Sequence, residues 1–148
     1  PGSKIWLDGR RKVVLDRSAA QIGAPAAWAA GFTGAGVTAA VLDTGILASH
    51  PDFEGRIAES RSFIPGSPET SDGFGHGTHV ASILAGSGAG SGGLYRGIAP
   101  DATLLIGKVC DDFGSCTDSD IIAVLREPLG VKRTGALVGK NLFNRMFF

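Results

Sequence analysis

Two short aliphatic runs limit most of what this chain can become. Val37-Thr38-Ala39-Ala40-Val41-Leu42 and Thr103-Leu104-Leu105-Ile106-Gly107-Lys108-Val109 are almost wholly apolar over the length of one strand each. A strand with one wet face alternates apolar and polar residues. A run without alternation predicts burial on both faces, as in a parallel sheet sandwiched by helices. Helical patterns surround these runs. Pro25 to Gly31 reads as a short helix with proline in its first turn and glycine at its end. His76 to Ala85 sets Val80, Ile83 and Leu84 at helical spacing before Gly86. Asp118 or Ser119 is placed to cap a helix through Ile121, Ile122, Val124 and Leu125. The alternation of strands and helices predicts an α/β fold built on a parallel sheet.

Between these elements, residues 65–75 are rich in Gly, Pro, Ser and Asp and predict a surface loop. Residues 86–93 are nearly all Gly, Ala and Ser and predict a flexible connector. Near the start, Asp8-Gly9 separates two apolar clusters, a hairpin signal. The regular pattern stops after Leu125, where Pro128 would break the last helix. Beyond it, Arg126, Lys132, Arg133, Lys140 and Arg145 face only Glu127, in a chain whose formal net charge is +0. These bases are scattered among Leu, Val and Phe. They mark a boundary, not a nucleic-acid surface. At 43% hydrophobic and 19% charged, the chain has enough apolar residues for a core. No run approaches the roughly 18–20 apolar residues that span a bilayer, so no membrane partner is expected.

Two positions carry the chemistry. Asp43 directly follows the first buried run, and functional side chains of open α/β sheets gather beyond the carboxyl ends of strands. Gly45 lets the backbone turn sharply beside it. His76 opens the central helix in Asp72-Gly73-Phe74-Gly75-His76-Gly77-Thr78-His79. Gly75 and Gly77 strip bulk from both sides of the imidazole, which predicts close substrate approach, and the positive end of the helix favours the neutral ring that a general base needs. Cys110 and Cys116 bracket Asp111-Asp112-Phe113-Gly114-Ser115. A disulfide closing that loop and a pair of buried thiols both remain open.

Taken in order, Val41-Leu42-Asp43-Thr44-Gly45, His50-Pro51-Asp52, His76-Gly77-Thr78-His79-Val80-Ala81, Gly97-Ile98-Ala99-Pro100 and Lys108-Val109 resemble the subtilisin-like serine peptidases, over roughly residues 20–125. The resemblance implies a parallel-sheet, three-layer subtilisin-like fold, here incomplete. It implies that the complete enzyme is secreted and hydrolyses polypeptides through an Asp-His-Ser triad, with Asp43 orienting the imidazole and His76 as general base. His79 becomes a structural helix residue facing a neighbour. Gly114, Ser115 and Cys116 align with the segment that pairs with extended substrate, and Cys116 stands where the family often has glycine.

The family's nucleophilic serine and oxyanion asparagine fall well downstream of the histidine. Here the last serine is Ser119, and the asparagines Asn141 and Asn144 sit in no family-like motif. The chain is therefore expected to be inactive as it stands. The expected division is the end of a pro-segment or a linker over residues 1–17, the N-terminal part of a peptidase domain over 18–125, and an unmatched tail over 126–148 from a shifted reading frame. Asp52 matches a position that binds calcium in some relatives. The partner loop near Gly86 to Leu94 holds no Asn or Asp, so no cofactor is expected. Two other readings compete. One is a non-catalytic module that holds a metal with Asp43, His50, His76 and His79. The other is an interaction fragment that pairs through an unfinished sheet.

Overall fold

The computed structural model of the chain describes residues 15–126. In chain order they form α1 (Leu15–Gln21), α2 (Ala24–Ala29), β1 (Thr38–Asp43), a 3-10 turn (Pro51–Phe53), β2 (Ile57–Ser62), α3 (His76–Ala85), a second 3-10 turn (Ala89–Ser91), β3 (Thr103–Lys108) and α4 (Asp118–Arg126). The strands make one sheet in the order β1-β3-β2, with both outer strands parallel to β3. This is an incomplete subtilisin-like α/β arrangement. The hairpin expected at Asp8-Gly9 and the tail from Glu127 onward lie outside the described residues. The expected division between 17 and 18 falls inside α1.

The all-apolar runs became strands, but only one is buried on both faces. In β3, Leu104 to Lys108 are all buried, because this strand is central. In β1 only Val41 is buried, and Thr38, Ala40 and Leu42 are exposed. Among the described residues β1 is an edge strand covered on one face, which explains the difference. β2 has no counterpart in the sequence reading. Ile57-Ala58-Glu59-Ser60-Arg61-Ser62 carries weak strand propensity, and pairing with β3 supplies what propensity does not.

The main core lies between the sheet and α3. Val41, Leu104, Ile106, Phe53, Ala81 and Ala85 form one buried cluster. Alanines at two successive turns of α3 let the helix sit close on the sheet. Full burial of Leu104 and Ile106 contributes about 1.5–3 kcal/mol each. A second cluster joins Val109, Cys110 and Val124, with Phe63 and Ile121 against it, and seats α4. That helix is capped by neither Asp118 nor Ser119. It starts at Asp118, so Thr117 occupies the cap position, and its Oγ1 accepts from the Asp120 N–H at 3.3 Å.

The register then places the chemistry. Asp43 stands opposite Lys108 across the β1–β3 pair. Side chains two residues apart share a face, so Asp43 shares the face of Val41 and Lys108 that of Ile106. Both buried residues belong to the α3-side cluster. The carboxylate at the end of β1 is thereby aimed at the helix that begins with His76.

Candidate active site

Asp43 and His76 meet. Nδ1 of His76 lies 2.7 Å from Asp43 Oδ1 and 2.9 Å from Oδ2. The carboxylate is largely covered, at 15% side-chain exposure, whereas the imidazole is 59% exposed. With Nδ1 directed to the carboxylate, the opposite nitrogen, Nε2, faces away from the sheet. Asp43 is further fixed by the Thr44 N–H, which donates to Oδ1 at 2.8 Å. Its own carbonyl accepts from the N–H groups of Val109 and Cys110 at 2.9 and 3.2 Å.

Glycines set the separation between strand end and helix start. Gly45 adopts φ 116°, and a Cβ there would sit 2.5 Å from the Thr70 carbonyl oxygen. A Cβ on Gly77 would fall 2.3 Å from the Gly45 carbonyl oxygen and 3.2 Å from Asp43 Cβ. Gly77 is thus needed for backbone contact with the aspartate loop, a role the sequence does not announce. His79 is exposed on α3.

A third carboxylate, given no role by the sequence reading, ties these pieces together. Asp72 Oδ1 accepts from Thr44 Oγ1 and from the Gly75 N–H, each at 2.7 Å. Its Oδ2 accepts from the Thr78 N–H at 2.7 Å and from Thr78 Oγ1 at 2.5 Å. Thr44 Oγ1 in turn accepts from the Gly77 N–H at 2.9 Å, and Thr78 Oγ1 from the Leu47 N–H at 2.9 Å. Asp72 therefore caps the exposed amides of the α3 N-terminus and clasps the loop after Asp43. Burial pushes its carboxyl up, but the bonds from Thr78, Thr44 and Gly75 outweigh that and hold it down at about 2. The sequence signal for it was a carboxylate just ahead of a helix start.

The expected substrate segment is a tight hairpin closed by a disulfide between Cys110 and Cys116. Asp111 Oδ1 accepts from the N–H groups of Phe113 and Ser115 at 2.9 and 2.8 Å, and the Asp111 N–H donates to the Ser115 carbonyl at 2.8 Å. Ser115 turns its backbone inward onto Asp111, and the Gly114 N–H donates to the Asp111 carbonyl at 3.1 Å. Phe74, two residues before His76, packs its ring on Gly114. A shallow depression lined by Ile64, Pro65, Ser115 and Thr117, among others, opens beside this segment, with a volume of about 330 Å³.

The residues suggested for metal binding do not assemble. Among the described residues, no group of three or more His, Cys, Asp or Glu side chains is placed to hold an ion. Asp43 and His76 pair with each other, while His50 Nδ1 accepts from the Asp52 N–H at 3.2 Å. The family's calcium position fits poorly here. The Gly90 N–H donates to Asp52 Oδ1 at 2.7 Å, and the Ser87 N–H to the Asp52 carbonyl at 3.1 Å. The run expected to be a flexible connector thus folds onto Asp52 as a hydrogen-bonded turn. It offers donors where a cation requires oxygens.

Comparison with known proteins agrees with the geometry. A family model described as "Subtilase family" matches residues 34–136. "Serine protease AprX" of Bacillus subtilis (strain 168) is 45% identical over 121 residues, covering 80% of this chain and 27% of that protein. "Subtilisin Savinase" of Lederbergia lenta is 48% identical over 101 residues, covering 68% of this chain and 36% of that protein. The chain therefore spans about a quarter to a third of the length of these relatives. No helix among the described residues is long and apolar enough to cross a membrane.

Proposed function

The chain belongs to the subtilase family, and from that premise we propose that it supplies the acid–base half of a secreted serine endopeptidase site. The observation that carries this reading is the two-oxygen contact between the Asp43 carboxylate and His76 Nδ1, at 2.7 and 2.9 Å. A carboxylate held there keeps the ring proton on Nδ1. It leaves Nε2 bare to take a proton from a nucleophile and return it to a leaving amine. Asp43 also stabilises the imidazolium formed between those steps.

The nucleophile in this reading is a serine hydroxyl from outside these 148 residues. After Ser119 the sequence has no serine, and the His76 imidazole is exposed and open to a partner group. The Oγ attacks the peptide carbonyl as its proton passes to Nε2, and oxyanion donors outside this chain hold the developing charge. An extended polypeptide pairs with the 114–116 segment as an added strand. By itself the chain has the proton relay without the attacking atom, and it should not turn over peptide bonds.

A chimera joining residues 34–126 to the serine-bearing remainder of a subtilisin tests this reading with a serine-directed phosphonate. The chimera should be labelled and the 148-residue chain should not. Labelling of the chain alone would overturn the assignment of the nucleophile. A folded chimera that resists labelling would overturn the peptidase reading.

A further inference from the structure

Lys108 is a buried cation that the proton relay does not use. Its side chain is 3% exposed, at the end of the central strand and opposite Asp43. An ammonium carries three donors, and each finds an acceptor. Nζ donates to the Thr44 carbonyl at 2.7 Å, to the Ser71 carbonyl at 2.7 Å, and to Asp112 Oδ1. Asp112 Oδ1 also accepts from the Gly73 N–H at 3.1 Å.

These acceptors belong to the three segments that build the site. Thr44 follows Asp43, donates to its carboxylate and receives the Gly77 N–H of α3. Ser71 precedes Asp72, the clasp of the α3 N-terminus. Asp112 lies inside the loop closed by Cys110 and Cys116, two residues before Gly114. The strand around it is otherwise apolar, with Leu104 and Ile106 buried in the core on the same face of β3. A buried charge is costly unless paired, so its presence here points to what it holds.

We infer that Lys108 is a positioning residue. Its ammonium locks the Asp43 loop, the Asp72 loop and the disulfide-closed substrate hairpin into one register, and it acts on His76 through Thr44 and Asp43. This rests on the proposed reading of Asp43 and His76 as the acid–base pair. A further consequence is that a peptide bound along the 110–116 hairpin acts on the Asp43 loop through this ammonium, beside the Cys110 N–H bond to the Asp43 carbonyl.

The test is proton NMR of the 148-residue chain labelled at histidine, in wild type, Lys108→Met and Asp112→Ala. It follows exchange with water of the His76 ring proton bonded to Asp43, beside the amides of Leu104 and Ile106. In Lys108→Met the ring proton should exchange at least about tenfold faster, as expected for losing bonds from a charged donor, while the core amides stay protected. Asp112→Ala leaves two of the three acceptors and should give a smaller acceleration, about threefold. Asp112 is a half-exposed residue, so this variant decides the matter if Lys108→Met does not fold. Unchanged ring exchange in both variants would overturn the inference, as would acceleration no greater than that of the core amides. If wild type shows no ring proton bonded to a carboxylate, the peptidase reading itself fails, and the inference with it.

Discussion

Asp72 offers the sharpest test of how the site is held. Replacing it with Asn keeps the size and one acceptor oxygen but sets an NH2 group against the Thr78 N–H and removes the charge. The folded carboxyl titrates at about 2, against 3.8 for the free group. At about 1.36 kcal/mol per pKa unit this gap corresponds to about 2.4 kcal/mol, which screening of a partly open carboxylate reduces to about 1–2 kcal/mol. Because the folded pKa is the lower one, this stability is fully present above about pH 4 and is lost as pH falls towards 2. Thermal melts of wild type and Asp72→Asn between pH 7 and pH 2 should therefore converge. The separation in Tm should narrow by about 3–8 °C across the acid limb. A separation that stays constant down to pH 2 would show that the charge on Asp72 contributes nothing, and the clasp between the Asp43 loop and α3 would need another explanation.

Other perturbations address neighbouring parts of the site. Gly77→Ala should destabilise by about 1–3 kcal/mol in urea unfolding, because its methyl would lie 2.3 Å from the Gly45 carbonyl oxygen and force strand end and helix start apart. Opening the Cys110–Cys116 link with a dithiol reductant, or by Cys116→Ala, should cost about 2 kcal/mol for so short a loop. The loss should appear as a lower Tm together with faster amide exchange at Ser115.

The parts legible in the sequence were those whose chemistry is local. Asp43 at the end of an aliphatic run and His76 at the head of a helix announce themselves by position, and their segments carry the family pattern. Val37 to Leu42 read correctly as a strand and wrongly as buried on both faces, because apolar composition cannot tell a central strand from an edge. β2 was missed because Glu59, Ser60, Arg61 and Ser62 carry no strand signal of their own and are recruited by β3. The hydrogen bonds of Asp72 and Lys108 were illegible for a different reason. Asp72 reaches back 28 residues to Thr44, and Lys108 reaches 64 residues to the Thr44 carbonyl. Such contacts exist only once the sheet register has brought distant segments together. The cysteines lay between these cases: their spacing permitted a link without requiring one, and the hairpin around Asp111 brings them together.

The central claim is that the Asp43–His76 couple moves the proton in peptide hydrolysis. Rates of peptide cleavage by the chimera, with and without His76→Ala, test it most directly. Loss of the imidazole should lower kcat by about 10⁶ with the fold intact, and Asp43→Asn by about 10⁴. A folded His76→Ala chimera that cleaves peptides within about tenfold of its parent, a margin far below any triad deletion, would contradict the account.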